Sequence, residues 1–415
     1  MLESLKTERN RSLLHNVSFI TLLQIFNVIA PLITYPYLVR VLGRELYGVF
    51  ITAQVLVAYF SLFVVWGSDN VCAKHVSIFR DDRLRLSEIF TAVLLARACV
   101  WIAGLLVFIG IVVALPAYRE YFVLFLLTYG MTVYDVLFPQ YLFQGLEKMK
   151  YATFVVVGVK LLFILLVFAV VREQADFYLV PLLYSVGYFL GGVASLYIIF
   201  SLIGLRLVKI HGTDVWVLMK DAFPVFLSDM ITTIKDRFNV LLMGGCIGMA
   251  DVVTYDLALK INLLMTKPTE IMRIALFPRA AKNRNIPMVK KSLLYSFFIT
   301  TSLVILVNLV LPYVVKFFLD AEVELLPIRL FTIAPILLSV SVLIAFNVFI
   351  AFGYNKYVLN SILITTICYV VLIVGCAVFY QLDTLLIFVL ISLLSYLTEF
   401  VYRVIKFRKI AGQLA

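Results

Sequence analysis

Two apolar stretches in the second half of the chain carry charged side chains at helical spacing. In the later stretch, helical steps join Asp256, Lys260, Lys267 and Glu270, and Asp256 is placed to pair with Lys260. The earlier stretch has a polar stripe with two flanking cations, formed by Asp229, Thr232, Thr233, Asp236 and Asn239 with Lys235 and Arg237. These residues suit either a self-neutralised seam between helices or a hydrated chamber that offers cations to an anionic substrate. We favour the chamber, because a structural seam needs fewer charges.

Three further charges in the first half of the chain are predicted to lie at one depth. Arg97, Asp135 and Lys160 each lie roughly eight or nine residues from the predicted cytoplasmic end of a helix. One interpretation is an Arg97–Asp135 ion pair that locks these helices together. The other is that the two cations belong to the chamber. The residues alone leave both open.

Prolines mark helices that can bend. Asn16, Gln24, Asn27 and Pro31 share one face of the first apolar stretch, and Pro36 closes it. Polar groups on such a face can simply help helices pack, but together with two prolines they also suit a gate. Pro268 directly follows Lys267 and is expected to bend its helix or free carbonyl groups there.

Motifs for catalysis and metal binding are absent from the sequence. Gly43 and Gly48 have the spacing of a nucleotide-binding loop, but Val49 and Phe50 follow where Lys and Ser or Thr are needed. The three histidines are scattered, without Cys or carboxylate at metal-ligand spacing. The sequence therefore predicts no enzyme, no metal site and no cofactor.

The elements that position these charges are membrane helices. Of 415 residues, 63% are hydrophobic and 14% are charged, and the mean hydropathy is +1.06, whereas soluble domains are about half apolar and about a quarter charged. Apolar runs of roughly 20 residues number about twelve, which predicts an all-α membrane protein. The five cysteines fall mostly inside apolar runs and imply no disulfide framework.

We attribute the excess of basic residues to the orientation of the protein in the membrane, because basic residues concentrate in cytoplasmic segments. With the N-terminus inside, about 22 Lys and Arg fall in cytoplasmic segments against about 6 in outside loops. The net charge of +11 therefore indicates two cytoplasmic termini rather than a nucleic-acid partner. The polar N-terminal segment precedes a full-length apolar run, so we expect no cleaved signal peptide.

The middle of the chain divides it into two halves. We predict an N-terminal six-helix lobe at 1–205, a cytoplasmic amphipathic linker at 206–221 and a C-terminal six-helix lobe at 222–415. In both halves a glycine-containing outside turn leads to a Tyr that opens the next helix, Tyr47 in the first and Tyr255 in the second. Two halves of the same order suggest parallel repeats, a common transporter plan.

Two segments resemble bacterial O-antigen flippases. The first runs from Asn16 through the 31–48 stretch, which includes Pro31, Pro36 and Gly48, and the second spans Leu142–Lys150. These flippases form the polysaccharide transporter branch of the multidrug/oligosaccharidyl-lipid/polysaccharide exporter superfamily. The resemblance implies two six-helix bundles in a V-shaped fold like that of the MATE transporters.

The same resemblance implies what the protein handles. Such proteins move an undecaprenyl-pyrophosphate-linked oligosaccharide from the cytoplasmic to the periplasmic leaflet of the bacterial inner membrane, by alternating access coupled to a proton or sodium gradient. Its partners would then be that lipid, the surrounding membrane lipids, and the O-antigen polymerase with its chain-length regulator. Another cargo is the alternative: a capsule, exopolysaccharide or teichoic acid precursor, or a small drug. A membrane glycosyltransferase or O-antigen polymerase fits less well, because the outside loops are short.

The family offers no universal catalytic residue, so the site assignments rest on spacing. Cations suit the pyrophosphate, and we assign pyrophosphate binding to Arg97, Lys160, Lys235, Arg237, Lys260 and Lys267. Sugar binding or ion coupling is assigned to Asn16, Gln24, Asn27, Asp135, Asp229, Asp236, Asp256 and Glu270. Gating is assigned to Pro31, Pro36 and Pro268.

The topology can be tested with single cysteines in a cysteine-free background. Arg119→Cys should react with a membrane-impermeant maleimide in intact spheroplasts, because it lies in a predicted outside loop. Arg206→Cys should react only after permeabilisation. The opposite pattern would reverse the assigned orientation.

Overall fold

The computed structural model is built from helices. It describes residues 2–379 and 382–413, without the side chains of residues 2–17, 20, 235, 236, 275, 278, 279 and 283. No strand occurs in these ranges, so the all-α prediction is confirmed. The helices up to the middle of the chain are α1 Leu2–Val65, α2 Ser68–Ile78, α3 Arg83–Ala114, α4 Pro116–Arg119, α5 Phe122–Tyr129, α6 Val133–Leu137, α7 Gln140–Gly145, α8 Met149–Val170 and α9 Leu179–Tyr197.

The second part of the chain continues in the same way. A π-helical segment, Ile198–Ile203, follows α9, and another, Ala345–Ile350, follows α14. The remaining helices are α10 Gly212–Cys246, α11 Met249–Asn283, α12 Ile286–Leu319, α13 Leu325–Phe331, α14 Ala334–Ile344, α15 Asn355–Phe379 and α16 Leu385–Gln413.

Helix α1 folds back on itself at Gly43. This residue has a φ of 77° and a ψ of 163°, a backbone conformation that glycine adopts without a Cβ clash. The rings of Tyr35 and Tyr47, on either side of it, lie 5.0 Å apart. In a straight helix these two positions would be about 18 Å apart. The segment is therefore a hairpin of two helices.

Nine stretches in the described ranges are long and apolar enough to cross a membrane, and the first of them, Thr21–Ile78, contains the hairpin. Helices α10 and α11 are also long, 35 residues each, but are not among the nine. They carry the charged residues singled out in the sequence, which lower their hydropathy. The membrane class is confirmed, and the two exceptional helices are those in which the chamber was predicted.

The contacts of the chain define two units, Met1–Met230 and Ile231–Ala415. The predicted linker at 206–221 packs on the first unit. The amide of Arg206 donates to Ser87 Oγ at 3.3 Å, and that of Val208 donates to Thr91 Oγ1 at 3.2 Å. The predicted lobe limits stay a prediction, and these bonds account for the inclusion of 206–230 in unit 1.

The beginning of α10 is attached to the break between α1 and α2. Gly67 has a φ of 64°, and a Cβ there would lie 2.7 Å from the backbone nitrogen of Phe226. Beside it, the Trp66 ring stacks on Phe226 at 4.2 Å and 10°, and its Nε1 donates to the carbonyl of Met219 at 3.0 Å. Only glycine at position 67 lets the two backbones approach so closely.

Unit 2 is held together by a buried polar network around Asn239. The Asn239 amide nitrogen donates to Tyr255 Oη at 2.9 Å and to Ser392 Oγ at 2.8 Å, and its oxygen accepts from Tyr369 Oη. These residues lie on α10, α11, α15 and α16. In a hydrocarbon environment a satisfied network of this kind favours one arrangement of its helices.

A second buried cluster lies on α16. Arg403 Nη1 is 2.7 Å from Glu399 Oε1, and the two side chains are equally buried. Arg403 Nε also donates to Ser361 Oγ at 3.0 Å, and Nη1 donates to Ser341 Oγ at 3.1 Å. The cluster therefore joins α14, α15 and α16.

Replacing Asn239 tests the first network. Asn239→Ala should lower the free energy of unfolding by about 1–3 kcal/mol for each polar group left without a partner, seen as a lower midpoint of thermal unfolding in detergent. Asn27→Ala is the matched control, because Asn27 is exposed on α1. Equal midpoints for wild type and Asn239→Ala would contradict the role of the network.

Candidate functional site

Helix α11 carries a row of half-buried charges. Lys260 Nζ donates to Asp256 Oδ2, which confirms the predicted pair. About two turns further along, Lys267 Nζ donates to Glu270 Oε2 at 2.7 Å. Arg273 Nη2 lies 4.0 Å from Glu270 Oε1. The row is thus partly self-neutralised, and its last cation is only loosely paired.

A cavity of about 260 Å³ opens beside the end of this row. Its polar lining comes from Thr266, Thr269, Glu270, Arg273 and Ser339, and its apolar lining from Leu338, Val342 and Phe346. The Arg273 guanidinium lies 4.1 Å above the Phe346 ring. A guanidinium has five N–H donors. In the described structure the only polar partner of the Arg273 guanidinium is Glu270, at 4.0 Å. The cavity therefore presents a cation with donors available to an anionic or hydroxylated ligand.

The stripe predicted on α10 is divided. Asp229 and Arg237 are exposed, whereas Asn239 is buried in the network of unit 2. Thr232 and Thr233 are half-buried. The side chains of Lys235 and Asp236 lie outside the described residues. The interpretation of Asn239 as part of a chamber wall was wrong, because its amide is committed to three hydroxyl groups.

Arg97 is buried in unit 1 and fully engaged. Its side chain is 3% exposed. Its Nη2 lies 2.7 Å from Asp69 Oδ1 and 2.6 Å from Ser68 Oγ, and its Nη1 donates to the backbone carbonyl of Asp135 at 2.8 Å. The ion pair predicted with Asp135 is therefore made with Asp69 instead.

Two helix breaks explain these partners. Pro139 has no N–H to donate to the carbonyl of Asp135 four residues earlier, and α6 ends at Leu137, so Arg97 supplies the donor. Ser68 and Asp69 begin α2 just after the break at Gly67. Arg97 thus joins two places where the backbone leaves its helix.

Lys160 and Asp135 remain as half-buried charges in unit 1. Within the described part of the chain, Lys160 forms neither an ion pair nor a hydrogen bond. The Asp135 carboxyl group has Ser61 as its hydrogen-bonding neighbour. A lone amine at this depth is costly in lipid, so Lys160 remains a candidate for a charged ligand.

The predicted gating residues lie within continuous helices. Helix α1 passes through Pro31 and Pro36, and α11 passes through Pro268. On α1, Gln24 is half-buried and Asn27 is exposed, whereas the Asn16 side chain lies outside the described residues. Gating stays a prediction.

Three charges are absent from the sequence-based site, and each has a signal in the sequence. Arg403 follows Glu399 by four residues, a pairing distance. Asp69 lies in the first turn of a helix that begins just after a glycine. Arg273 continues the row of Lys267 and Glu270 by one more turn. No group of three potential metal ligands occurs among the described residues.

Comparison with known protein families decides the relationship. Residues 13–284 match the family described as polysaccharide biosynthesis protein, which is well over half of the chain. The chain belongs to the polysaccharide biosynthesis protein family.

Relatives of this polysaccharide biosynthesis protein include two bacterial proteins. It is 25% identical over 355 residues to a proposed O-antigen transporter of Escherichia coli strain K12, covering 83% of this chain and 85% of the relative. It is 26% identical over 273 residues to a proposed O-antigen transporter of Shigella dysenteriae, covering 64% and 67%.

Solved structures share its fold. An inward-facing MATE transporter of the MOP superfamily matches with a TM-score of 0.69 at 14% identity, over 96% of this chain and 100% of that chain. An outward-facing MATE transporter matches with a TM-score of 0.64 at 13% identity, over 96% of both. The MATE-like fold predicted from the sequence is confirmed.

Arg97 is expected to support the structure of this polysaccharide biosynthesis protein. Arg97→Ala should lower the free energy of unfolding by about 3–5 kcal/mol, because it removes one partner of a buried ion pair. Arg97→Lys should recover part of the loss, since it keeps the charge without the planar fork. Thermal unfolding in detergent measures both, and Arg237→Lys, at an exposed position, is the control. An unchanged midpoint for Arg97→Ala would show that the two helix breaks do not depend on this residue.

Proposed function

We propose that this protein is a flippase for a lipid-linked oligosaccharide, an undecaprenyl-pyrophosphate-linked O-antigen unit. The observation that carries the proposal is the half-buried row of charges on α11 beside a cavity, in a polysaccharide biosynthesis protein with a transporter fold. An uncompensated charge in a membrane helix costs about 2.5–3.5 kcal/mol at the centre, and Arg273, the last cation of the row, is only loosely paired with Glu270. A ligand with phosphates and hydroxyl groups would supply the missing partner.

The position of the cavity suits such a ligand. Arg273 lies about 36 Å along α11 from Met249, at 1.5 Å per residue, and therefore close to one face of a hydrocarbon layer about 30 Å thick. The topology assigned from the sequence makes this the cytoplasmic face. There Lys267 and Arg273 would meet the pyrophosphate of a lipid in the inner leaflet. Thr266 and Ser339 would offer hydroxyl groups to the adjoining sugar.

The direction and energy source follow from the same proposal. The cargo would pass from the cytoplasmic to the periplasmic leaflet of the inner membrane, with a proton or sodium gradient as the driving force. The polymerase and its chain-length regulator would then use the product outside. The names of the two bacterial relatives support O-antigen as the cargo over capsule, exopolysaccharide, teichoic acid precursors or drugs.

A proteoliposome assay tests the function directly. Vesicles contain undecaprenyl pyrophosphate that carries a defined oligosaccharide, and an impermeant glycosidase outside removes every sugar that reaches the outer leaflet. Wild-type protein should expose all of the substrate, faster under a proton or sodium gradient of the productive sign. Lys267→Met and Arg273→Gln should each slow exposure about tenfold, the effect of losing one charged hydrogen bond.

Lys316→Met is the matched control, because Lys316 is exposed in the last turn of α12. Failure of the wild-type protein to expose any substrate would contradict the proposal. Efflux of a cationic dye, without flipping of the lipid, would favour the drug exporter instead.

A further inference from the structure

The stretch of unit 1 that leads into α10 leaves large apolar side chains uncovered. Trp216 is 70% exposed and Leu207 is 59% exposed. The two other tryptophans of the chain, Trp66 and Trp101, are half-buried and donate hydrogen bonds through Nε1. We call residues 204–220 the connecting segment. Packing within unit 1 does not account for its exposed apolar groups.

Contacts with α3 fix the depth at which the connecting segment begins. The amides of Arg206 and Val208 bond to Ser87 and Thr91, the fifth and ninth residues of α3. Helix α3 is about 48 Å long, whereas the hydrocarbon layer is about 30 Å thick. The first turns of α3 therefore reach the headgroup region, and the connecting segment lies beside them. The topology assigned from the sequence places these turns on the cytoplasmic side.

A second contact fixes the depth at which the connecting segment ends. The carbonyl of Met219 accepts from Trp66 Nε1 at 3.0 Å. Trp66 directly follows the second arm of the α1 hairpin, which runs from Gly43 to Val65 and, at about 33 Å, is long enough to cross the hydrocarbon layer once. Trp66 and Met219 therefore lie near the membrane surface. Trp216 precedes Met219 by one helical turn, at a depth where tryptophan is enriched in membrane proteins.

The exposed side of α9 leads to the same level. Exposed apolar side chains recur on one face of this helix at Leu182, Val186, Phe189, Val193 and Tyr197. Tyr197 is the last of them on α9, and tyrosine at the end of a membrane helix is typical of the interface. Seven residues later Gly204, with a φ of 80°, turns the chain. The connecting segment thus begins where an exposed apolar helix face ends.

Basic side chains accompany the exposed apolar groups. Arg206 and Lys209 are exposed in the first part of the connecting segment. The exposed Arg83 lies beside them, since a Cβ at Gly204 would be 3.4 Å from Arg83 Nη1. Asp214 is the one acid of the segment, and its carboxylate already accepts from a backbone amide at 3.2 Å. The charge of this surface therefore complements an anionic partner.

We propose that the connecting segment binds anionic phospholipids of the cytoplasmic leaflet. Trp216 and Leu207 enter the interface beside the first carbons of the acyl chains, as apolar groups of interfacial segments do. Arg83, Arg206 and Lys209 bind the phosphate groups and the further negative charge of the headgroups. All of these residues belong to unit 1, and none of them takes part in the flipping site proposed on α11.

Fluorescence quenching tests the depth of Trp216. The full-length protein is placed in nanodiscs, and the signal of Trp216 is the difference between wild type and Trp216→Phe, so that Trp66 and Trp101 stay in place. Phosphatidylcholine with bromine near the carbonyl end of its acyl chains should quench this signal, whereas aqueous iodide should quench it only weakly. Strong quenching by iodide, or none by the brominated lipid, would overturn the proposal, because Trp216 would then lie in water or under protein.

The same signal tests the selectivity for anionic lipid. Brominated phosphatidylglycerol and brominated phosphatidylcholine are compared at the same low mole fraction in nanodiscs of unlabelled phosphatidylcholine. Phosphatidylglycerol should quench Trp216 more strongly, and its advantage should shrink at high salt. Arg206→Gln and Lys209→Gln should each lower the relative affinity for phosphatidylglycerol about fivefold, the effect of one basic residue beside an anionic surface.

A basic residue at the other end of the membrane spans supplies the control. Lys316 is exposed in the last turn of α12, on the predicted outer side, and Lys316→Gln should keep the wild-type selectivity. Equal quenching by the two brominated lipids in wild type would overturn the proposal. So would a selectivity that both Arg206→Gln and Lys209→Gln leave unchanged.

Discussion

Arg97 occupies the point at which two interrupted helices of unit 1 meet. A membrane interior has no water to satisfy a backbone carbonyl or amide that leaves its helix, so each break must find a partner within the protein. At the break near Pro139, Arg97 donates to the backbone carbonyl of Asp135. At the break near Gly67 it binds the side chains of Ser68 and Asp69, and Ser68 Oγ in turn donates to the carbonyl of Val65. A single planar side chain thus joins the two breaks.

The same constraint governs unit 2, with different chemistry. There the Asn239 amide forms hydrogen bonds with three hydroxyl groups. In the ion pair on α16, Arg403 donates hydrogen bonds to two serines. These clusters use polar groups that satisfy one another. The row on α11 differs, because its last cation, Arg273, has N–H donors without an acceptor and lines a cavity. The contrast between satisfied and unsatisfied polar groups is what separates structural clusters from candidate sites in both units.

The sequence was sufficient for several features that local interactions decide. The hydropathy of the chain and the length of its apolar runs predicted the all-helical membrane class. The four-residue spacing of Asp256 and Lys260 predicted their ion pair. It was insufficient where partners are distant in the chain. Asp69 reaches Arg97 from 28 positions away after a break that hydropathy does not reveal. Asn239 shares the period of the α10 stripe, but turns inward because its hydroxyl partners come from α11, α15 and α16.

The close approach at Gly67 has a consequence for the order of assembly. The ring of Trp66 enters the membrane early in synthesis, but its stacking partner Phe226 and its acceptor Met219 are made about 150 residues later. The end of the first hairpin therefore lacks these contacts while four further spans are inserted. The first unit becomes complete only when the opening turns of α10 arrive. A gene divided after residue 205 would separate Trp66 from Phe226 and Met219. A gene divided inside the α10–α11 turn would keep those contacts but separate Asn239 from its partners on α11, α15 and α16.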